Sequence, residues 1–389
     1  MSKVGIDSIS FFTSNMYIDL ASLAKARNID SDKYYKGLGQ HQMATPAVDE
    51  DVVTLAANAA INIVNDDNKH EISNVLFATE SGVDQSKAAG IFVHQLLDLP
   101  KNCRVVELKQ ACYSSTAALQ LGLAELSRNP KQKILVLASD IARYGLNTPG
   151  EPSQGCGAVA FILSANPRIL EIDPESGYFT QDIMDFWRPN YRDEALVEGK
   201  YSSKMYLQSL QACWEHLSTK TDRTFNDYYR FCYHTPVCRL AEKAHKFLGK
   251  LNGERLDEYQ IKQHVQAGLN YNRTVGNCYT AALYLSLCSL IDHTKEDLTN
   301  KRIGLYAYGS GSVAEYFSGK LVEGYQAHSP KTQHTQMLNN RVELTYEQYK
   351  SLYSHQLPQD GSDLDLPKQQ KGTFRLAGLR RHIRVYEKA

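Results

Sequence analysis

The chain repeats part of its own sequence, and this repeat constrains the fold more than any other feature. Thr116-Ala-Ala-Leu-Gln-Leu-Gly-Leu123 matches Thr280-Ala-Ala-Leu-Tyr-Leu-Ser-Leu287 at six of eight positions, and each copy follows a Cys-Tyr pair. Gly157-Ala-Val-Ala160 similarly resembles Gly311-Ser-Val-Ala314. The two matches occur in the same order, at offsets of 164 and 154 residues. They indicate duplication of a unit of about 150 residues.

Strand-like apolar runs alternate with helix-like stretches along the first half of the chain. This alternation predicts an α/β fold with a largely buried sheet. A chain of 389 residues, 42% of them hydrophobic, is long enough for two domains. We place the two similar halves at residues 1–167 and 168–389. The predicted strands cover residues 75–79, 104–108, 134–138 and 157–163, and the predicted helices cover 87–97 and 114–127.

Charge and hydropathy exclude several classes of protein. Lys+Arg and Asp+Glu both number 43, so the chain lacks the overall positive charge of a nucleic-acid-binding protein. No apolar run approaches the roughly 18–20 residues of a membrane span. Asp7 interrupts the stretch where a signal peptide would be apolar, so we expect a cytoplasmic protein. Eight cysteines without a Cys-X-X-Cys pair predict reduced thiols and no metal site.

Cys112 lies where a predicted strand ends and the Ala/Leu-rich helix of the first repeat begins. A cysteine at a helix N-terminus experiences the positive end of the helix dipole, which favours the thiolate. Such a thiolate would be a nucleophile. A buried, inert thiol is an equally good interpretation of the local sequence.

Glu80 and His234 each follow a strand-like run, and the repeat offset of 154 carries one onto the other. The duplication therefore predicts that both side chains face a shared centre. In a partly apolar pocket, the pKa of Glu80 would rise and the carboxyl group would serve as acid and base near neutral pH. Taken locally, a solvated carboxylate and a hydrogen-bonded histidine beside Pro236 are the commoner outcomes.

Three further segments are candidates for a role at a binding site. Gly309-Ser-Gly-Ser312 lacks the lysine of a phosphate-binding loop, so its glycines more plausibly allow close backbone approach. Asn277 either caps the second repeat helix or directs its amide at a substrate carbonyl. Residues 182–204 have no clear periodicity but contain aromatic side chains, and we expect an ordered loop that closes over a site.

Taken together, the chain resembles the 3-hydroxy-3-methylglutaryl-CoA synthases of the thiolase superfamily, and the bacterial form in particular. The resemblance runs over essentially the whole chain, and its motifs occur in the family's order. The segments that carry it are Gly37-Leu-Gly-Gln40, Ala78-Thr-Glu-Ser81, Lys109-Gln-Ala-Cys-Tyr113, Ala138-Ser-Asp-Ile-Ala-Arg-Tyr-Gly145, Gly155-Cys-Gly-Ala-Val-Ala160, Asp185-Phe-Trp-Arg-Pro189, His234-Thr-Pro236, Gly276-Asn-Cys-Tyr-Thr280 and Tyr308-Gly-Ser-Gly311.

The resemblance implies a duplicated, five-layered αβαβα fold and a homodimer. It implies condensation of acetyl-CoA with acetoacetyl-CoA and water, which yields 3-hydroxy-3-methylglutaryl-CoA and CoA on the mevalonate route to isoprenoids. By the same resemblance, Cys112 becomes acetylated, Glu80 is the general acid and base, and His234 polarises the acetoacetyl carbonyl. No cofactor is implied, because the CoA thioesters are themselves the substrates.

Substrate contacts are also implied by the resemblance. They are Asp30, Tyr144, Ser153, Ser202, Lys243, Asn277 and Ser310, with Lys243 near a CoA phosphate. An enolate oxygen would be stabilised by backbone N–H groups near Cys112 and in the Gly309–Gly311 loop.

Rival functions remain open at this point. A thiolase would use a second cysteine near its C-terminal glycine loop, but no cysteine follows Cys288. A ketoacyl synthase III would combine the nucleophile with His234 and Asn277, which leaves Glu80 without a role. A non-catalytic acyl-CoA-binding member of the superfamily is a third alternative. A Cys–His hydrolase is the least favoured, because nothing else matches a protease signature.

Overall fold

The computed structural model describes residues 3–389. Its strands are β1 (Val4–Phe12), β2 (Met16–Asp19), β3 (Gln42–Ala44), β4 (Ile72–Ala78), β5 (Arg104–Leu108), β6 (Lys133–Ala142), β7 (Gly155–Ala165), β8 (Leu170–Ile172), β9 (Gly177–Thr180), β10 (Phe186–Trp187), β11 (Leu196–Val197), β12 (Arg230–Tyr233), β13 (Arg302–Gly309), β14 (Val313–Leu321), β15 (Val342–Glu343), β16 (Leu364–Asp365), β17 (Phe374–Arg380) and β18 (Ile383–Lys388). Its helices are α1 (Leu20–Ala26), α2 (Asp32–Tyr35), α3 (Val52–Ala60), α4 (Ala89–Leu96), α5 (Ser114–Arg128), α6 (Gly199–Ser218), α7 (Cys238–Leu251), α8 (Glu258–Val275), α9 (Ala282–His293), α10 (Lys331–Asn339) and α11 (Tyr346–Ser354).

A ten-stranded mixed sheet organises the molecule, and its strand order reflects the sequence repeat. The order is β12-β13-β14-β8-β1-β7-β6-β4-β5, and β9 also pairs with β14. From the middle outwards, β1-β7-β6-β4 on one side corresponds to β8-β14-β13-β12 on the other. The orientations agree as well, because β4 is parallel to β6 as β12 is to β13, and β6 is antiparallel to β7 as β13 is to β14. The predicted α/β class is confirmed; the boundary between residues 167 and 168 stays a prediction.

The two repeat helices, α5 and α9, meet in the interior. Ser115 Oγ donates to the carbonyl of Thr280 at 2.6 Å, and the hydroxyls of Thr116 and Tyr284 lie 3.0 Å apart. Helix α9 is buried from Ala282 to Asp292, as expected for a helix that is apolar on all sides. The repeated Ala-rich segments therefore form the central helical layer, and each helix begins beside the functional residues described below.

The predicted secondary structure is right in type and differs mainly at the ends of elements. The strand predicted at 104–108 has the observed bounds, and the helix predicted at 114–127 ends one residue later. The segment 182–204 is more regular than expected. It forms the two-stranded hairpin β10–β11 and then the first turns of α6, which begins at Gly199. Within residues 3–389, no helix is long and apolar enough to cross a membrane.

Candidate active site

Cys112 stands immediately before α5, in the turn that connects this helix with β5. Tyr113 is the N-cap of the helix, and Ala111 has a left-handed φ of 45°. The Cys112 Sγ lies 2.9 Å from Oε1 of Glu80, which follows β4 in the neighbouring part of the sheet. All eight cysteines are free, and only Cys103 and Cys112 are partly exposed. The structure therefore brings together the two residues to which the resemblance assigns the nucleophile and the acid and base.

Burial determines the protonation of this pair, and the raised pKa of Glu80 agrees with the expectation for a partly apolar pocket. Burial and the adjacent Glu80 carboxylate raise the pKa of the Cys112 thiol well above its ordinary value. The helix N-terminus favours a thiolate, but its effect is smaller than that of burial beside a like charge. Burial, together with the charge of Asp140, raises the pKa of Glu80 to about 8. Of the two interpretations that the sequence left open for Cys112, burial favours the protonated thiol, and Glu80 also holds its proton at neutral pH.

Asp140, a residue of β6, holds the main chain of Glu80, and it was not among the predicted site residues. Its side chain is fully buried and accepts hydrogen bonds from Thr79 Oγ1 at 2.9 Å and from the Glu80 N–H at 2.8 Å. The N–H and hydroxyl of Thr280 donate to its other oxygen at 3.0 and 2.5 Å. An aspartate within the apolar run of β6 was the signal in the sequence, because a buried charge requires dedicated partners.

The glycine-rich loop after β13 packs directly on the turn that carries the nucleophile. A Cβ placed on Gly309 would lie 2.5 Å from the carbonyl oxygen of Gln110 and 2.6 Å from the nitrogen of Tyr113. Gln110 Nε2 also donates to the carbonyl of Ser310 at 3.3 Å. Close backbone approach is therefore the role of Gly309, as the sequence predicted.

The expected contribution of this loop to an oxyanion site stays a prediction, although two N–H groups at this turn already have acceptors. The N–H of Gly311 donates to Asp185 Oδ1 at 2.9 Å, and the N–H of Ser312 donates to the carbonyl of Gln181 at 2.6 Å. Both donors are used within the protein. The backbone N–H groups of Ser310 and Cys112 have no acceptor among the described residues, and these two donors remain candidates.

The β10–β11 hairpin covers the Glu80 side of the site. Arg188 donates a hydrogen bond to the main-chain carbonyl of Glu80, and its positive charge lowers the pKa of the Glu80 carboxyl group. Phe186 packs edge-on against Tyr144 and Tyr279. The segment was predicted to cover a site, but Arg188 was not predicted as a site residue. The sequence feature that could have indicated it is a cation beside aromatic residues in a segment of no clear periodicity.

His234 follows β12 as Glu80 follows β4, on the other side of the pseudo-twofold arrangement. Its N–H donates to the carbonyl of Tyr306 at 2.7 Å, and its own carbonyl accepts from the Tyr206 hydroxyl at 2.8 Å. Burial lowers the pKa of His234 to about 3, so the ring is neutral at pH 7. Among residues 3–389, no side-chain hydrogen bond joins His234 directly to Cys112 or Glu80.

Three of the predicted substrate contacts lie in or next to the buried tyrosine cluster against which Cys112 packs. Tyr144 is buried in a small cluster with Tyr279, against which Cys112 packs. The Asn277 N–H donates to the carbonyl of Ser153 at 3.2 Å, which places these two residues side by side. Asn277 Oδ1 accepts from the Tyr279 N–H at 2.9 Å, so its side chain caps the turn before α9.

Ser202 and Ser310 are linked through a second buried aspartate, Asp185. Ser202 Oγ and the Tyr308 hydroxyl donate to Asp185 at 2.9 and 2.8 Å, and the glycine loop binds its other oxygen. Asp185 therefore holds α6, β13 and the loop containing Ser310 together. Its motif is among those that carry the family resemblance, but no role was predicted for it.

Asp30 and Lys243 lie apart from this centre. Both are exposed, Asp30 just before α2 and Lys243 on α7. The two elements are neighbours, because the Arg239 guanidinium of α7 donates to the carbonyl of Lys36 at 2.8 Å. The structure thus places these two predicted contacts at the surface, away from Cys112.

An open cleft of about 1590 Å³ leads to Glu80 from the free edge of the sheet. Of the predicted site residues, Glu80 and Ser310 line it, together with Arg188, Val106 of β5 and Arg384 of β18. In the part of the chain that the structure describes, no three His, Cys, Asp or Glu side chains are grouped so that they could hold a metal ion.

Comparison with known proteins gives matches over nearly the whole chain. A family model described as hydroxymethylglutaryl-coenzyme A synthase N terminal matches residues 1–167, and the corresponding C-terminal model matches residues 171–252 and 254–357. A hydroxymethylglutaryl-CoA synthase from Enterococcus faecalis is 40% identical over 384 residues, which cover 98% of this chain and 99% of that protein. The polyketide biosynthesis 3-hydroxy-3-methylglutaryl-ACP synthase PksG from Bacillus subtilis is 33% identical, with 91% and 88% covered.

Solved structures agree with the sequence matches. A crystal structure of an HMG-CoA synthase complexed with CoA superposes with a TM-score of 0.94 at 37% identity, and it covers 100% of both chains. MvaS in complex with 3-hydroxy-3-methylglutaryl coenzyme A gives a TM-score of 0.91 at 35% identity, with 100% and 99% covered. The predicted thiolase-like fold is confirmed by these neighbours. Both halves of the chain match, and it therefore belongs to the hydroxymethylglutaryl-CoA synthase family.

Proposed function

We propose that this chain condenses acetyl-CoA with acetoacetyl-CoA and water, releasing 3-hydroxy-3-methylglutaryl-CoA and CoA, with Cys112, Glu80 and His234 in the catalytic roles. The observation that supports these roles best is the 2.9 Å contact between Cys112 Sγ and Glu80 Oε1 at the N-terminus of α5. A thiol for thioester exchange and a carboxyl group with a pKa near 8 are the two groups that this chemistry requires.

Acetyl transfer comes first. Glu80 in its carboxylate form accepts the Cys112 proton, and the sulfur attacks the carbonyl carbon of acetyl-CoA. The bond from that carbon to the CoA sulfur breaks, and the departing sulfur takes the proton back from Glu80. The products are acetyl-Cys112 and free CoA, and Glu80 is again a carboxylate. The backbone N–H of Cys112 is the proposed donor to the tetrahedral oxygen.

Carbon–carbon bond formation uses Glu80 a second time. The carboxylate removes a methyl proton from acetyl-Cys112, and the resulting enolate carbon attacks C3 of acetoacetyl-CoA. The new alkoxide takes the same proton from Glu80. A neutral His234 donates a hydrogen bond to the C3 oxygen and polarises that carbonyl, a role consistent with its lowered pKa. Water then cleaves the Cys112 thioester, which releases a carboxylic acid and the free thiol.

Binding of the CoA portion is the proposed role of the outer residues. Lys243 supplies a mobile point charge for a CoA phosphate, and Asp30 lies on the neighbouring element. Ser153, Ser202, Asn277 and Ser310 then contact the thioester arm, with Tyr144 beside the reacting carbon. This proposal requires no cofactor or metal. Location in the cytoplasm stays a prediction.

A homodimer through β5 is the proposed assembly. This strand ends the ten-stranded sheet, and in the described residues it pairs only with β4. Its Val106 is 48% exposed, and it lines the large cleft that opens beside Glu80. An edge strand of this kind invites pairing with another chain. Val106→Lys should convert a dimer to a monomer in light scattering, whereas Val342→Lys, on the exposed strand β15, should not. A dimer that survives Val106→Lys would exclude this interface.

The catalytic proposal is tested by separating acetylation from condensation. Labelled acetyl-CoA should label the wild-type protein and Cys103→Ser, a control at the other partly exposed cysteine, but not Cys112→Ser. Glu80→Ala should retain label from acetyl-CoA in long incubations yet form no product with acetoacetyl-CoA. His234→Ala should be acetylated normally and lose condensation. Label on Cys112→Ser would reject the nucleophile, and normal condensation by either other variant would reject its assigned role.

Product analysis distinguishes the rival functions. The wild-type protein should release CoA from acetyl-CoA rapidly only when acetoacetyl-CoA is present, and the product should be 3-hydroxy-3-methylglutaryl-CoA. Acetoacetyl-CoA formed from acetyl-CoA alone would identify a thiolase-type reaction. Binding of acyl-CoA without covalent labelling would identify a non-catalytic member.

A further inference from the structure

We propose that Glu315, a buried carboxylate on β14 in the second half of the chain, is a positioning residue for the Cys112 nucleophile. It acts by holding α5 at two points, through Tyr113 and Gln120. This inference rests on the proposed function, because it assumes that acetyl transfer to Cys112 is the reaction that depends on the position of α5.

Both carboxylate oxygens of Glu315 accept hydrogen bonds from side chains on one face of α5. The Tyr113 hydroxyl donates to Oε2 at 2.7 Å, and Gln120 Nε2 donates to Oε1 at 2.8 Å. Tyr113 is the N-cap of α5, and Gln120 is seven residues further along. Positions separated by seven residues lie on the same helix face, so the two contacts fix both the rotation and the axial position of the helix.

A carboxylate at this place is costly for the fold alone. Glu315 is 3% exposed, and none of the ion pairs among residues 3–389 includes it. Burial raises its pKa, while Lys220 and the hydroxyl and amide donors act in the opposite direction. Replacing Glu315 together with its two donors by apolar groups of similar shape would be nearly neutral for stability or stabilising. Retaining a buried carboxylate is therefore better explained by the geometry that its two hydrogen bonds impose.

That geometry bears directly on the nucleophile. Cys112 is covalently next to Tyr113, and its sulfur must remain 2.9 Å from Glu80 Oε1 for the proton to move. Glu80 belongs to the first half, at the end of β4, whereas Glu315 belongs to the second. Helix α5 packs on β4, β6 and β7 of the first half, and Glu315 adds two hydrogen bonds from the second half, one of them to the residue next to the nucleophile. Loss of the Glu315 contacts would let α5 shift, and misplacement of reacting groups by about 1 Å can cost about 100-fold in rate.

The experiment is a double-mutant cycle on the single-turnover rate of Cys112 acetylation by labelled acetyl-CoA. The variants are Glu315→Ala, Tyr113→Phe and the combination of the two, with Glu315→Gln as the conservative replacement. Ser318→Ala is the matched control. It removes a buried hydrogen bond, to Asp173, from the same strand without touching α5. Melting temperature and the acetyl-CoA concentration for half-maximal rate are measured for each.

Glu315→Ala and Tyr113→Phe should each slow acetylation about 10- to 100-fold, with the half-saturating acetyl-CoA concentration changed less than about twofold. The double variant should be no more than about twofold slower than the slower single variant. Glu315→Gln keeps an acceptor for the Tyr113 hydroxyl and should restore at least a fifth of the wild-type rate. Ser318→Ala should acetylate at the wild-type rate whatever its melting temperature.

Two results would overturn the proposal. One is a wild-type acetylation rate in Glu315→Ala. The other is a double variant whose fold-loss in rate equals the product of the two single losses. If Glu315→Ala does not fold, Glu315→Gln and Tyr113→Phe decide the question. A rate in Glu315→Gln as low as that of Tyr113→Phe would then reject the hydrogen-bond role. Absence of label on the wild-type protein would instead reject the proposed function.

Discussion

Gly309→Ala tests how closely the second half of the molecule supports the nucleophile. The added Cβ would lie 2.5 Å from the Gln110 carbonyl oxygen, 2.6 Å from the Tyr113 nitrogen and 2.7 Å from the Tyr113 Cβ. Two of these three atoms belong to the main chain, so no side-chain rotation can relieve the overlap. Ordinary van der Waals contact begins near 3.4 Å, and the turn that carries Cys112 must therefore move by about 0.7–0.9 Å.

The magnitude follows from that displacement. Overpacking by one methyl group typically costs about 1–3 kcal/mol of stability. A shift approaching 1 Å in the nucleophile costs about 100-fold in the rate of the step that it performs. Gly309 has no left-handed φ, so alanine introduces volume rather than backbone strain. We therefore expect a modest loss of stability and a much larger loss of acetylation rate.

The assay is single-turnover labelling of Cys112, with urea unfolding measured in parallel. Gly199→Ala is the matched control, because a Cβ at Gly199 has no atom within 4 Å and that residue also lacks a left-handed φ. It should acetylate at the wild-type rate. A Gly309→Ala protein that acetylates as fast as the wild type would refute the inference that this close approach positions the nucleophile.

Three further predictions concern other parts of the site and core. The rate of condensation should rise as pH increases through about 8, because Glu80 acts as a base only when deprotonated. Arg188→Gln should move the midpoint of this pH–rate profile upward, since the charge of Arg188 lowers the pKa of Glu80. Tyr206→Phe removes the hydroxyl that holds the His234 carbonyl and should raise the KM for acetoacetyl-CoA about 5-fold, for a hydrogen bond worth about 1 kcal/mol, without slowing Cys112 acetylation. Tyr271→Phe removes a 2.6 Å hydrogen bond to the buried Asp292 carboxylate and should lower the free energy of unfolding by about 1.5–3 kcal/mol in urea titrations, with activity unchanged.

Burial of Glu80 can also be followed through stability. Its pKa is raised in the folded protein, so the folded state retains a proton that the unfolded state loses between pH 4.5 and about 8. Stability should therefore be highest below pH 4.5, as far as this group is concerned, and fall as pH rises to about 8. Glu80→Gln removes this dependence. Equal slopes of unfolding free energy against pH for the two proteins would contradict the raised pKa.

Local sequence patterns predicted the helices and strands, because these depend on short-range information. Hydrophobic runs located β5 and α5 closely, and the repeat anticipated that β4 and β12 occupy corresponding places in the sheet. The pairing of Cys112 with Glu80 came from the family resemblance, since nothing local brings residues 32 positions apart into contact.

What the sequence did not predict depends on long-range packing. The sequence could not decide between a thiolate and an inert thiol at Cys112, because burial and a carboxylate from another strand, which outweigh the helix dipole, appear only in the folded chain. The partners of Asp140 come from residues as far away as Thr280, so its role appears only once the two halves meet. Arg188 and Asp185 were missed for the same reason, since Arg188 contacts Glu80 and Asp185 contacts Tyr308 and Gly311, all of which lie outside the segment 182–204.

Duplication followed by divergence at equivalent strand ends accounts for the electrostatics of the site. Glu80 follows β4 and His234 follows β12, at corresponding places in the sheet. Burial disfavours charge at both positions, so it raises the pKa of the carboxyl group to about 8 and lowers that of the imidazole to about 3. The same environment therefore leaves an acid that can release its proton near neutral pH and a neutral ring that can donate a hydrogen bond. Exchanging the two residue types in Glu80→His/His234→Glu would keep the burial and the total charge, yet remove the base from contact with Cys112. Such a variant should fold, lose condensation and take up label from acetyl-CoA only slowly, as Glu80→Ala does, since the carboxylate no longer lies within hydrogen-bonding distance of the thiol.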